Sequence, residues 1–132
     1  MPYKIQSSTC KFPGLTNYSV HILNNLPKDS KDALEIHCAS GDNDLGHKFP
    51  PVGSDFNWGF CGLSNTLFFC HFWWGNYNQV FDVFNDLTHC VHDAFNFIPS
   101  GITKCIWQVN FDGIYLGFLD GDQLHLQRYR EW

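Results

Sequence analysis

The run Phe68-Phe69-Cys70-His71-Phe72-Trp73-Trp74 constrains this chain more than any other, because it carries no charged side chain and is only seven residues long. A helix crossing a bilayer needs about 20 apolar residues, so this run is not a membrane span. It is bracketed by Asn65-Thr66 and Gly75-Asn76. A short, aromatic-rich run between turn formers reads as a strand buried on both faces. The chain is therefore expected to build a ring-filled core from strands.

Composition supports that expectation. Aromatic residues make up 17% of the 132 residues and charged residues 16%, giving much ring volume and a lightly charged surface. One domain spanning 1–132 fits this length, and it can bury roughly two thirds of its unfolded surface. The net charge is -5, with eight basic residues scattered along the chain. Phosphate binding needs clustered Lys and Arg, so a nucleic-acid partner is excluded. A polybasic membrane anchor is excluded on the same ground, and no membrane insertion is expected.

Six cysteines in so short a chain read as disulfides formed in an oxidising compartment. Zinc sites use close cysteine pairs, and the nearest pair here is Cys61 and Cys70, nine apart. The spacings leave every disulfide pairing open. Met1-Pro2-Tyr3-Lys4 lacks the apolar segment of a signal peptide, so a secreted form is expected to be a chain whose leader has been removed. Asn17-Tyr18-Ser19 is an acceptor for N-glycosylation at Asn17, in keeping with a secretory route.

Residues 1–17 are polar and read as a loose arm tethered through Cys10. Strands are expected over 18–24, 33–40, 47–50, 56–60, 67–73, 79–84, 104–110, 114–119 and 124–129. In the second of these, Leu34, Ile36 and Cys38 share one face while Glu35 and His37 point the other way. Asp112-Gly113 and Asp120-Gly121 read as hairpin turns, where glycine supplies positive φ. Eight to nine short strands with regular turn signals predict an all-β, antiparallel sandwich. One stretch departs from this pattern. Leu87, Cys90, Val91, Ala94 and Ile98 fall at helical spacing, which predicts a short helix over 86–98.

The residues that could carry chemistry have plain readings. His21, His37, His71 and His125 lie in predicted strands as outward-facing or hydrogen-bonded side chains. His89 and His92 would share the outer face of the helix, two ligands short of the four that structural zinc takes. Asp42-Asn43-Asp44 resembles the start of a calcium loop, but His47 and Gly53 stand where that loop needs Gly and Glu. No serine sits in a Gly-x-Ser-x-Gly elbow, and paired cysteines offer no thiolate. The two glutamates, Glu35 and Glu131, lie in no obvious cleft segment. No cofactor, no metal site and no enzymatic activity are expected. A rigid scaffold displaying loops remains, the layout of a binding module.

Seven segments then stand together in a familiar order. They are Val20-His21-Ile22-Leu23-Asn24-Asn25-Leu26, Leu34-Glu35-Ile36-His37-Cys38-Ala39-Ser40, Asp42-Asn43-Asp44-Leu45-Gly46 and Phe56-Asn57-Trp58-Gly59-Phe60. The rest are Thr66-Leu67-Phe68-Phe69-Cys70-His71-Phe72-Trp73-Trp74, Phe81-Asp82-Val83-Phe84 and Cys105-Ile106-Trp107-Gln108-Val109-Asn110-Phe111-Asp112-Gly113-Ile114-Tyr115. Over residues 18–118 the chain resembles the plant self-incompatibility protein family, the S-protein homologues. The resemblance implies a secreted, disulfide-stapled antiparallel sandwich that acts as an extracellular ligand and not as an enzyme. The best-known members act in the poppy stigma, where the secreted protein meets a pollen membrane receptor and self pollen is rejected. Roles in development or defence, or as a small hydrolase, are the alternatives.

The resemblance also implies a pairing of Cys38 with Cys105, Cys70 with Cys90 and Cys10 with Cys61. The recurring motifs have physical readings of their own. Trp58, Trp73, Trp74 and Trp107 fill the volume between sheets as core residues. Asp44-Leu45-Gly46 reads as a turn plug, with Leu45 buried and Gly46 in a conformation closed to other residues. The expected partner is a cell-surface receptor protein, with the oligomeric state left open. Expected contacts are the exposed residues of the turns and insertion: Asp42, Asn43, His47, Asp55, Asn76, Tyr77, Asn78, His89 and His92.

Overall fold

A computed structural model describes Cys10 and residues 15–62, 66–85, 90 and 97–132. Among the described residues there are nine strands and no helix: β1 (Thr16–Asn24), β2 (Leu34–Ala39), β3 (Asp44–Lys48), β4 (Asp55–Gly62), β5 (Leu67–Trp74), β6 (Tyr77–Asn85), β7 (Lys104–Asn110), β8 (Gly113–Asp120) and β9 (Gln123–Arg130). They form a five-stranded sheet, β4-β1-β7-β8-β9, and a four-stranded sheet, β3-β2-β5-β6, packed as a sandwich. The expected all-β sandwich is present. Its pairings are antiparallel with one exception, since β1 runs parallel to β7. A hairpin enforces antiparallel neighbours, but β7 is reached by a crossover from β6 in the other sheet, which carries no such constraint.

Alternation along the strands fills the layer between the sheets. Val20, Ile22, Phe56, Trp58, Trp107, Val109, Ile114 and Leu116 point in from one side. Leu34, Ile36, Phe68, Phe72, Phe81 and Val83 meet them from the other. The Trp107 indole N–H donates to the Val83 carbonyl at 2.9 Å and so joins the layers by a hydrogen bond as well as by packing. Among the described residues Asn24 is the buried polar residue of the core: its Nδ2 donates to the Pro50 carbonyl and its Oδ1 accepts from the Leu26 N–H, which ends β1.

β5 was expected to be buried on both faces. Only Phe68, Cys70 and Phe72 are buried, and Leu67 and Phe69 on the other face are 37% and 38% exposed. Among the described residues no further element lies over the outside of the four-stranded sheet, and its rings stack on one another. Trp58 and Trp107 are core as expected, whereas Trp73 and Trp74 are only part-buried. β3 begins at Asp44 rather than at His47, because the Gly46 bend (φ 79°) is absorbed within the strand. Leu45, expected as a buried plug, is only part-buried.

All six cysteines are paired. Cys10–Cys61 is formed as the resemblance implied. The other two bonds are Cys38–Cys70 and Cys90–Cys105, not Cys38–Cys105 and Cys70–Cys90. The register explains the correction. Cys38 and Cys70 are direct cross-strand partners of β2 and β5, with Cα atoms 4.1 Å apart, the spacing of a narrow antiparallel pair. Cys105 lies on β7 in the opposite sheet, and its sulfur is taken by Cys90. Cys90, in the β6–β7 connection, meets Cys105 with Cα atoms 5.5 Å apart.

Of the expected helix, only Cys90, Phe97 and Ile98 are described. Cys90 has a φ of 78°, which a right-handed helix does not contain. The rest of that stretch, with His89 and His92, lies outside the described residues, as does most of the expected N-terminal arm.

Candidate recognition surface

The outer face of the four-stranded sheet gathers the densest set of polar rings. Alternation turns Glu35 and His37 outward from β2, Phe69, His71 and Trp73 from β5, His47 from β3 and Asn78 and Val80 from β6. Register then brings them together. His37 is the cross-strand partner of both His47 and His71, and Glu35 stands opposite Trp73. The rings stack in series: His37 on His47 at 4.3 Å between centroids, His47 on Trp73 at 5.6 Å, and Trp73 on His71 at 3.8 Å.

Carboxylates and amides hold the outer edges of this column. His47 Nδ1 lies 2.7 Å from a Glu35 carboxylate oxygen, and His37 Nε2 lies 2.7 Å from Asp44 Oδ1. His71 Nε2 is 3.1 Å from the Asn78 side-chain oxygen. The Gly46 N–H also donates to Asp44 Oδ1 at 2.8 Å. That bond first, and His37 second, hold the Asp44 carboxyl below its ordinary value of 3.8. Beside the column lie the exposed apolar groups Phe69 and Val80, 38% and 54% exposed. Such a face can stack against a partner and exchange hydrogen bonds with it. It presents no nucleophile, and among the described residues no three His, Cys, Asp or Glu side chains are grouped to hold a metal.

The expected contact residues do not form one patch. His47 and Asn78 belong to the ring face. Asp42 and Asn43 are exposed in the β2–β3 turn at one end of the sheet, where the Ser40 N–H donates to the Asn43 carbonyl. Asn76 and Tyr77 lie at the opposite end, where Tyr77 packs on Trp74 and Trp132. Asp55 is on the other sheet altogether, in β4, paired with His21. Sequence reasoning gives Glu35, His37 and His71 no role beyond their strands and takes Trp73 as core. Their signal was present in the alternation Glu35-x-His37 and His71-x-Trp73, but only register shows that these pairs adjoin.

Comparison with known proteins follows the same outline. A family model described as plant self-incompatibility protein S1 matches residues 19–132. S-protein homolog 3 of Arabidopsis thaliana is 34% identical over 100 residues, covering 74% of this chain and 62% of that protein. S-protein homolog 19 of Arabidopsis thaliana is 37% identical over 90 residues, covering 63% of this chain and 65% of its own length. The chain thus spans less than two thirds of both relatives. Among solved structures, one of SPH proteins, described as a widespread family of small, highly stable, secreted plant proteins, superposes with a TM-score of 0.63. It covers 90% of this chain and 96% of its own at 18% identity, a likeness of fold.

Proposed function

Because the chain belongs to the plant self-incompatibility protein S1 family, we propose that it is a secreted signalling ligand that recognises a cell-surface receptor protein through the outer face of its four-stranded sheet. The observation that carries this reading is the stacked column His37-His47-Trp73-His71, half-buried to exposed on the outer side of a sheet whose inner face packs in the core. Rings held by their neighbours lose little freedom on docking, and Trp is among the residues that most often dominate binding energy. Secretion is supported by the pairing of all six cysteines and by the description of the structural relative. The Asn17 side chain is exposed at the start of β1, where a glycan can be attached. Recognition of pollen is the finest form of this reading, and a role in development or defence is the alternative within the family. Its primary role is read as recognition, not turnover.

The test uses fluorescently labelled protein on intact plant cells. Saturable surface binding is expected, competed by unlabelled protein. The double variant His47→Ala/Trp73→Ala should compete at least roughly tenfold less well while its thermal midpoint stays close to that of the parent. Equal competition by the double variant would remove the ring face from the reading.

A further inference from the structure

The opposite face of the sandwich holds a different constellation. Ser19 and His21 are two apart on β1, so both side chains leave the five-stranded sheet on its outer side. Ser19 Oγ lies 3.0 Å from His21 Nε2. Asp55 comes from β4, two pairs along in register and so on the same face, and its carboxylate oxygens lie 3.0 and 3.2 Å from His21 Nδ1. The carboxylate can only accept, so the Nδ1 proton is donated to it. Nε2 of the neutral ring is then an acceptor, and the Ser19 hydroxyl donates to it. This is the hydrogen-bonded order of a nucleophile, a general base and its orienting acid. His21 is 19% exposed, so the relay is accessible but partly sheltered.

A cavity of about 230 Å³ opens beside the imidazole. Leu23, Ile106, Leu119 and Leu124 form its apolar wall and Lys104 its basic rim. Lys104 is also the register partner of Ser19 on the parallel strand β7. We propose that Ser19, His21 and Asp55 form an acyl-transfer site that takes esters of short acyl chains, with the acyl group in the cavity.

In the first step Ser19 Oγ bonds to the ester carbonyl carbon as its proton passes to His21 Nε2. The ester C–O bond then breaks, and His21 returns that proton to the departing alcohol. Water, deprotonated by His21, attacks the acyl-serine and releases the carboxylic acid and the free serine. The Ser19 N–H already donates to the Thr103 carbonyl at 3.0 Å, so it does not serve the developing oxyanion. Lys104 is the group placed to do so, which makes acylation modest in rate. Asp55 acts as a positioning residue through His21. The proposal concerns the face away from the ring column, so it and the recognition reading can fail independently.

The full disulfide-bonded chain is incubated with a fluorophosphonate probe and, separately, with 4-nitrophenyl acetate, and the adducts are located by peptide mass mapping. Ser19 should be labelled in preference to every other serine of the parent protein. His21→Asn should slow labelling by roughly 10²-fold, and Lys104→Ala should slow acetylation. Asp55→Asn should lower the rate and Asp55→Glu should recover part of it, a pattern a purely structural role would not give. Labelling no faster at Ser19 than at exposed Ser100, or unchanged by His21→Asn in a variant with native circular dichroism, overturns the proposal.

Discussion

At the entry to β3 one carboxylate answers to two donors. Asp44 Oδ1 accepts from the Gly46 N–H and stands 2.7 Å from His37 Nε2, so it shapes the turn and orients the first ring of the column together. Both partners favour the charged form, which holds the folded value below 3.8. The sign follows by linkage: a depressed carboxyl contributes stability above its unfolded value and loses it as pH falls through the folded value. A carbon-detected NMR titration should therefore find the Asp44 midpoint below 3.8, and His37→Ala, which removes the second donor and leaves the Gly46 turn intact, should raise it. A midpoint at or above the ordinary value would mean that neither contact persists in solution. The turn itself was legible in Asp42-Asn43-Asp44, and so was Gly46 at positive φ. The partnership with His37 was not, because seven residues of chain separate the two groups and only the β2–β3 pairing closes that gap.

Among the elements, β5 shows how one period-2 strand serves two surfaces. Its inner residues Phe68, Cys70 and Phe72 are buried, and its outer residues His71 and Trp73 complete the ring column. The Cys38–Cys70 bond ties β5 to β2 at the centre of this sheet, between residues 32 apart in sequence. Cross-linking a loop of that length stabilises by about 3–4 kcal/mol through the entropy of the unfolded chain. Replacing both cysteines by alanine, with the other two disulfides intact, should cost that amount in urea titration. It should also loosen the outer rings, read as a loss of near-ultraviolet circular dichroism. No change in the denaturation midpoint would show that the β2–β5 ladder holds its register unaided. Most strand positions came through from alternation and turn residues, with β3 displaced toward Asp44, while two of the three disulfide pairings did not. Pairing depends on which strands become neighbours, and local sequence does not carry that.

For the whole molecule, the central question is how two sheets stay in register with each other. The ring-rich core supplies most of the adhesion, and Trp107 adds direction. It is fully buried, packs on Phe81 and Tyr129, and donates from β7 to the Val83 carbonyl of β6 across the layers. Trp107→Phe keeps a ring in place but leaves that carbonyl buried without a donor. The expected loss is about 2 kcal/mol, or roughly 7 °C in thermal midpoint. A neutral result would show that packing alone sets the alignment of the sheets. Composition, alternation and turn residues by themselves determined that this chain becomes an all-β sandwich of eight to nine short strands with a ring-filled core, since each of those signals acts within a few residues. The tertiary structure alone decided that β1 and β7 run parallel and that Cys38 bonds Cys70. It alone stacked His47 and His71 on Trp73, with His37 on His47, and set Ser19, His21 and Asp55 in line. These features arise where distant strands lie about 5 Å apart, and proximity of that kind is a property of the folded topology and not of any stretch of chain.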